Sequence, residues 1–299
     1  NTGWIINTTA PLDLYWVGGT GNWDDPAHWS TSSGGAGGAC IPTVHDDVFF
    51  DNNSFTSPAQ SVNINANAYC KNMDWTGATF TPTLTGTSTY SLSIYGSLIF
   101  ISSMNLSLQS RVNFESTTNG NTITSSGKSF ISNVYFQGAG GEWLLTDAFN
   151  SNNSIYLING HFNTNNQLVN CNSINSSSSN PATRSLTLGS SKITLTSSSS
   201  SAFSIYNDNF AFDAGTSLIS FTGNGSGYSN DVSGTVTADE PSADYPTNGL
   251  DIDWDAGTID IVGTGAITCS GDFTIESGGT FTISSGGSIE IESGGAINI

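Results

Sequence analysis

An eight-residue repeat at the C-terminal end constrains the fold of this chain more than any other feature. Isoleucine recurs at every eighth position from Ile259 to Ile299, and glycine keeps the same step from Gly263 to Gly295. Repetition at a fixed period is typical of stacked, quasi-one-dimensional structures. The repeat still runs at Ile299, so we expect the structure to continue beyond that residue.

Each repeat has the pattern of a short strand followed by a turn. In the octad "GDFTIESG", Phe273 and Ile275 share one face of a strand, while Thr274 and Glu276 share the other. Three octads would complete a triangular rung of about two dozen residues. Because the repeats are in phase rather than mirrored, they favour parallel stacking. The predicted fold class is therefore all-β, a right-handed parallel β-helix or β-solenoid with inner ladders of Ile and Phe.

The rest of the chain divides into regions of different composition. Residues 1–80 hold five of the seven tryptophans and are predicted to form an aromatic N-terminal cap with the first strands. Residues 81–222 contain short alternating runs separated by Gly, Asn and Ser, which predict irregular β-helix rungs. Residues 223–257 are more acidic and predict a projecting loop or a seam, and residues 258–299 form the octad solenoid.

The charge of the chain excludes some partners. The net charge is -19, with only 5 Lys and Arg residues in total. Nucleic acids and anionic membrane surfaces require basic side chains, so we expect neither as a partner. No apolar run reaches the length of a membrane span, so no membrane insertion is predicted. The excess of acidic residues either attracts divalent cations as counterions or keeps an extracellular protein soluble.

The four cysteines show no metal-binding spacing. An even number in a lysine-poor chain suits an oxidising exterior, and a Cys40–Cys70 disulfide is predicted, with buried free thiols as the alternative. Alternating carboxylates at Asp251, Asp253 and Asp255 would share one strand face and are candidate Ca²⁺ ligands. Asp46, Asp47 and Asp51 form a second candidate set. For both sets the alternative is a solvated acidic edge, and no other cofactor is predicted.

Exposed aromatic side chains are the candidate ligand-binding residues. A glycan could stack on Tyr228, Tyr245, Trp254, Tyr206 or Trp143, but we expect Trp143 and the N-terminal tryptophans to belong to the core or the cap. The chain is predicted not to be an enzyme, because it contains no known catalytic motif and its three histidines lie far apart. The acidic candidates for a hydrolase lie at Asp231, Asp239, Glu240 and Asp244.

Three stretches resemble a known class of proteins. Trp16-x-Gly18-Gly19-x-Gly21-x-Trp23, followed by Trp29 and then Pro-Thr-x-x-Asp-Asp-Val-x-Phe, resembles the start of large bacterial surface β-helix proteins. "GEWLLTDAF…IYLINGHFNTNNQLVNC" and "ATRSLTLGSSKITLT" resemble segments of giant secreted adhesins of Bacteroidota, including type IX secretion substrates and gliding adhesins of the SprB type. The resemblance implies a cell-surface location and anchoring to the outer membrane through a further C-terminal region.

These features together predict a structural and adhesive extracellular protein. It would form the distal segment of a long cell-surface filament or stalk that mediates surface attachment or gliding. Its partners would be an extracellular surface or glycan, together with the secretion and anchoring machinery. A polysaccharide-active β-helix enzyme and a Ca²⁺-dependent glycan-binding module are the alternatives.

Overall fold

The fold was obtained as a computed structural model. It describes the backbone of residues 10–176, 182–197, 202–205, 209–213, 217–221 and 227–229, and of the strands named below as far as residue 298. Side chains are described for residues 10–176, 182–197, 202–203, 209–213 and 217. The described residues form β-strands joined by turns, with a short 3₁₀ helix at Pro26–His28.

The strands follow one another closely along the chain. The first are β1 (Asp13–Trp16), β2 (Gly21–Asn22), β3 (Trp29–Ser30), β4 (Asp47–Phe49), β5 (Ser61–Ile64), β6 (Ala68–Cys70), β7 (Met73–Asp74), β8 (Thr83–Gly86), β9 (Ser91–Ile94), β10 (Leu98–Ile99), β11 (Asn105–Leu108) and β12 (Arg111–Phe114). Then come β13 (Asn121–Thr124), β14 (Ser129–Phe130), β15 (Val134–Leu145), β16 (Phe149–Ser151), β17 (Ile155–Asn163), β18 (Val169–Cys171), β19 (Ile174–Ser176), β20 (Arg184–Thr187), β21 (Lys192–Leu195), β22 (Phe203–Ile205) and β23 (Phe210–Asp213). The last are β24 (Leu218–Phe221), β25 (Gly227–Ser229), β26 (Ser233–Asp239), β27 (Tyr245–Thr247), β28 (Ile252–Trp254), β29 (Ala256–Val262), β30 (Ala266–Cys269), β31 (Phe273–Ile275), β32 (Gly279–Ser284), β33 (Ser288–Ile291) and β34 (Ile297–Asn298).

Parallel pairing arranges these strands on three sides of a solenoid. The first side contains β1, β4, β7, β10, β13, the second halves of β15 and β17, β20 and β23. The second side contains β6, β9, β12, the first halves of β15 and β17, β19, β22, β25, β28, β31 and β34. The third side contains β2, β5, β8 and β11, and then β14, β16, β18, β21, β24, β26, β29 and β32. Strands β27, β30 and β33 form a further sheet.

Alternation along each strand explains why the sides close around one core. In β5 and β8 every second residue is buried, and these apolar residues stack on their counterparts in the next rung. On the second side the inner ladder consists of Ala68, Leu92, Val112, Val134, Ile155, Ile174 and Phe203. All seven side chains are buried, so each rung extends the same apolar column. The all-β parallel solenoid predicted from the octads is confirmed.

The aromatic cap predicted for the N-terminal region is also confirmed. The β1–β3 pair is antiparallel, and it brings Trp29 edge-on against Trp16 at 5.1 Å between ring centroids. The imidazole of His28 stacks on Trp16 at 4.8 Å. A side chain at Gly21 would collide with that imidazole, and Gly19 has a φ of 77°, which favours glycine. Ring packing therefore requires a glycine at Gly21, and backbone conformation favours one at Gly19.

The octads stack in a different register from the one predicted. Three octads per rung would place Ile283 beside Ile259, but Ile283 pairs with Ile261, and Ile259 pairs with Phe281. Phe273 and Ile297 do pair across three octads. The rungs are thus unequal in length, since 22 residues separate Ile259 from Phe281 and 24 separate Phe273 from Ile297. The segment 223–257 is not simply a loop, since its described strands pair with neighbours, as β26 does with β24 and β29.

The predicted Cys40–Cys70 disulfide is wrong for this structure. Cys40, Cys70 and Cys171 are free thiols, and the side chain of Cys269 lies outside the described residues. Cys70 occupies the inner ladder of the second side beside Ile94, whereas Cys40 is exposed. A bridge would require Cys70 to leave the core. Burial, followed by the charge of Asp47, raises the pKa of the Cys70 thiol, which keeps it protonated and unreactive.

Candidate binding face on the second side

A row of polar and aromatic side chains runs along the outside of the second side. Strand register places Tyr69, Ser93, Asn113, Tyr135, Tyr156 and Asn175 side by side in successive rungs. Each lies between inward-facing core residues, so each points away from the core. We call these six residues the tyrosine row.

The middle of the tyrosine row is a layered stack. The rings of Tyr135 and Tyr156 lie 4.6 Å apart and are inclined by 10°. The guanidinium of Arg111 lies over the ring of Tyr135, 4.9 Å from its centroid. Arg111 is exposed, and it makes no ion pair with any described residue. The ring of Tyr135, and not a carboxylate, therefore fixes the orientation of the Arg111 guanidinium.

A hydrogen-bonded network around Glu115 lies beside the tyrosine row. The Glu115 carboxylate accepts hydrogen bonds from Ser93 Oγ at 3.0 Å, Tyr95 OH at 2.6 Å and Gln137 Nε2 at 2.8 Å. Burial, and then the hydrogen bond to Glu115, raises the pKa of the Tyr95 phenol. Tyr95 therefore remains a donor throughout the physiological pH range, and the network holds Glu115 in one position.

Asn113 is the polar group in this network whose hydrogen bonding is incomplete. Its Nδ2 donates to Ser93 Oγ at 3.0 Å, and its side chain is only 2% exposed. Its Oδ1 has no hydrogen-bond partner. Buried carbonyl oxygens are almost always paired, and an unpaired one costs about 1–3 kcal/mol. A donor from outside the chain would remove that cost only after the side chains that cover this oxygen move aside.

The face as a whole offers groups that recognise hydroxyl-rich molecules. Arg111 donates, Asn113 Oδ1 accepts, and the phenols of Tyr135 and Tyr156 can do both. The structure shows no hydrogen bond from either phenol to a described residue. Tyrosine and arginine, together with tryptophan, are also enriched at the central contacts of protein–protein interfaces.

A second polar row on the outside of the first side has a different chemical character. Register places Glu142, His161 and Ser185 in adjacent strands. His161 Nδ1 lies 2.6 Å from Ser185 Oγ. A serine beside a histidine is the arrangement that activates a nucleophile, and a carboxylate that orients the imidazole would complete it. Glu142 forms no hydrogen bond or ion pair with His161 in the described part of the chain.

The residues predicted as a binding or metal site fall mostly where side chains are not described. Asp251 and Asp255 lie outside the described residues, as do Tyr206, Asp231, Glu240 and Asp244. The backbones of Tyr228, Asp239, Tyr245, Asp253 and Trp254 lie on strands, but their side chains are outside the description. Tyr228 pairs with Ser204, which pairs with Asn175, so its register continues the tyrosine row. Trp143 is buried, as expected of a core residue.

The second candidate calcium set is not assembled. Asp46 accepts hydrogen bonds from the backbone N–H of Leu12 and from the backbone and hydroxyl of Thr43, at 2.8, 2.8 and 2.6 Å. Asp47 accepts from Asn72, and Asp51 accepts from Asn53. Internal donors thus already hold these carboxylates. Within the residues that the structure describes, no group of three or more His, Cys, Asp or Glu side chains could hold a metal ion.

The tyrosine row was missed by sequence reasoning, although a signal for it exists. Tyr135 and Tyr156 each stand between apolar residues, in "VYF" and "IYL". An aromatic residue at the outward position of a strand is a recognisable pattern. What the pattern lacks is the register that places the two rings in contact.

Comparison with known proteins leaves the chain without an assigned relative. No protein-family model matches it, and no curated protein and no solved structure matches it significantly. In the described residues, no helix has the length and apolar character needed to cross a bilayer.

Proposed function

We propose that the protein is a structural and adhesive segment of an extracellular, cell-surface filament that mediates surface attachment or gliding. The observation that carries this proposal is the continuous parallel ladder of the second side, which runs from Ala68 to Asn298. Each added rung lengthens such a structure without widening it, so the fold suits a rod. The resemblance at Trp16–Trp29 supports a surface location and outer-membrane anchoring through secretion machinery.

The rod is tested by electron microscopy of the purified chain under negative stain. We expect elongated particles of uniform width, because successive rungs stack along one axis. Compact globular particles would contradict the proposal.

The cell-surface location is tested on intact cells of the source organism. An antibody against residues 10–80 should label unpermeabilised cells, and external protease should remove the label. Labelling that requires permeabilisation would place the protein inside the cell and contradict the proposed role. Adhesion is then measured as retention, under flow, of beads coated with the purified chain.

The contact between His161 and Ser185 favours a second candidate, an enzyme that removes ester groups from a polysaccharide. A serine-reactive fluorophosphonate probe should then label the protein, and Ser185→Ala should abolish the labelling. Ser190→Ala removes an exposed serine elsewhere and serves as the matched control. Absence of labelling in the unmodified protein would exclude a nucleophilic Ser185.

A further inference from the structure

The tyrosine row and its neighbours form a specific surface rather than a uniform polar coat. In the middle rungs, outward positions of the first side carry Thr122, Thr124, His161 and Asn163, and an outer aromatic pair of that side, Tyr15 and Phe49, lies in the cap. The second side instead carries four tyrosines, Tyr69, Tyr95, Tyr135 and Tyr156, beside two of the five basic residues, Lys71 and Arg111. The stacked tyrosines of the middle rungs, Tyr135 and Tyr156, thus lie on the second side, next to Arg111.

The backbone of this surface is not available to a ligand. Parallel pairing uses the N–H and C=O groups of β9, β12, β15 and β17 within the sheet. A peptide that adds a strand to an open edge therefore finds no edge here. A ligand must be recognised through side chains alone, by a guanidinium, an amide oxygen, phenol groups and ring edges.

The charge of the molecule argues for a neutral ligand. The chain carries a net charge of -19, and Glu115 lies within the face itself. A polyanion would be repelled over long range and would meet only two basic side chains on this side. A neutral ligand with many hydroxyl groups meets no such barrier, and its hydroxyls can donate to Asn113 Oδ1 and accept from Arg111.

We propose that the tyrosine row, with Arg111 and Asn113, binds a neutral oligosaccharide. The chain of sugars would run along the solenoid axis, because the step of about 4.8 Å between rungs is close to the length of one sugar unit in an extended glycan. The exposed N–H groups of Arg111 donate to sugar oxygens. Asn113 Oδ1 is closed to solvent in the free protein, so a sugar hydroxyl donates to it once the side chains that cover it move aside. This assignment rests on the adhesive role proposed above and gives that role a ligand class and a surface.

Calorimetry with defined oligosaccharides tests the proposal. The probes are neutral tetrasaccharides of glucose, mannose and xylose, with an oligogalacturonate as the anionic comparison. We expect at least one neutral probe to bind, and we expect Arg111→Gln or Tyr156→Ala to weaken that binding about tenfold or more, as loss of a central contact does. Asn113→Ala should weaken it as well.

The controls separate the ligand site from fold and charge. Lys192→Gln removes an exposed positive charge from the third side, and its affinity should match that of the unmodified chain. Circular dichroism establishes that each variant is folded, and Arg111→Gln is a surface change that keeps the test valid if Asn113→Ala does not fold. Binding of oligogalacturonate alone, equal affinity in the Arg111 and Tyr156 variants, or no binding of any neutral probe would overturn the proposal. None of these outcomes affects the particle shape in electron microscopy, which tests the proposed rod separately.

Discussion

The N-terminal cap and the rungs that follow it use the same parallel ladder but differ in how far apart their partners lie in sequence. In the cap, Asn63 Nδ2 donates to Asn22 Oδ1 across 41 residues. In the middle rungs, Gln137 Nε2 donates to Glu115 Oε1 across 22 residues. The additional residues of the cap form the β1–β3 pair and the tryptophan cluster. A terminal rung has one neighbour only, so it needs bulky side chains to cover its open end.

Both regions contain edge-on and stacked pairs of aromatic rings, but only the cap has a cluster of tryptophans among the described residues. In the cap, Trp29 meets Trp16 and Trp23 edge-on, with interplanar angles of 86° and 72°. In the middle rungs, Phe136 stacks on Phe114 with an angle of 16°. Rings at equivalent positions of successive rungs stack because the ladder holds them in register. The cap also contains a stacked pair, Phe50 and Trp75 at 11°, and the middle rungs an edge-on pair, Phe136 and Trp143 at 62°. What distinguishes the cap is therefore its edge-on cluster of three tryptophans.

The largest expected effect comes from truncating the centre of the cap. Trp75 is fully buried and stacks on Phe50 at 3.7 Å. Trp75→Ala should lower the free energy of unfolding by about 3–5 kcal/mol, because it leaves a cavity that the surrounding rings cannot fill. Urea denaturation followed by circular dichroism measures the change.

Phe80→Ala is the matched control for that variant. Phe80 belongs to the same region but is 45% exposed, so its removal should change the free energy of unfolding by less than about 0.5 kcal/mol. Equal urea midpoints for the two variants would show that the aromatic cluster does not stabilise the end of the solenoid.

Truncation of a core side chain in the middle rungs should lower the free energy of unfolding substantially, but should loosen only the neighbouring rungs. Ile155 is buried and pairs with Val134 and Ile174. Ile155→Ala should cost about 2–5 kcal/mol. Because each rung contacts only its neighbours, hydrogen exchange should accelerate in β15, β17 and β19 before it does in β1 and β4. Lys192→Ala, an exposed change, provides the baseline. Simultaneous loss of protection in the cap would mean that the solenoid unfolds as one unit.

The sequence predicted the fold more successfully than the register. Alternating apolar residues predicted strands, and the in-phase octads predicted parallel stacking, because both patterns depend on local geometry. The partner of Ile283 could not be predicted, since it depends on how many residues each turn contains. The Cys40–Cys70 bridge failed for a related reason. Nearness in sequence does not reveal that one cysteine lies in an inner ladder while the other is exposed.

The candidate site was harder to predict than the fold. Tyr135 and Tyr156 touch because β15 and β17 pair without a shift at these residues, although the same strands shift register after Phe136. The burial of Trp143 was expected. The unpaired Asn113 Oδ1 depends on side-chain packing across three rungs, which no periodicity in the sequence encodes.

Buried thiols in both regions should make the protein less stable in alkali. Burial raises the pKa of Cys70 and Cys171 above the ordinary value of 9.0. The unfolded chain therefore releases these protons at a lower pH than the folded chain does. The stabilisation is complete below pH 9 and is lost as the pH rises further, by up to about 1.4 kcal/mol per thiol and pH unit. Unfolding free energies at pH 7.5 and pH 10 give the slope.

Alanine variants of the two buried cysteines show how much each thiol contributes to the loss of stability in alkali. Cys70→Ala and Cys171→Ala should each reduce the alkaline loss by a similar amount, since burial is the main cause of the shift in both. In the variant that lacks both thiols, the loss that remains should start near pH 10, where the Tyr95 phenol, whose pKa is also raised, would ionise in the unfolded chain. A slope unchanged in both cysteine variants would show that neither thiol is linked to folding.

The smallest expected effect is the coupling free energy between two stacked rings. It can be compared between an outer pair and an inner pair, which lie in adjacent columns of the second side. Tyr135 and Tyr156 stack on the outside, and Phe114 and Phe136 stack inside. Double-mutant cycles with alanine should give a coupling of about 0.5–1.5 kcal/mol for the inner pair. The outer pair should fall at the low end of that range, because solvent reaches both phenols and the rings remain half-buried. A larger coupling outside than inside would mean that the tyrosine row stabilises the solenoid, and would count against its role as a surface kept for a ligand.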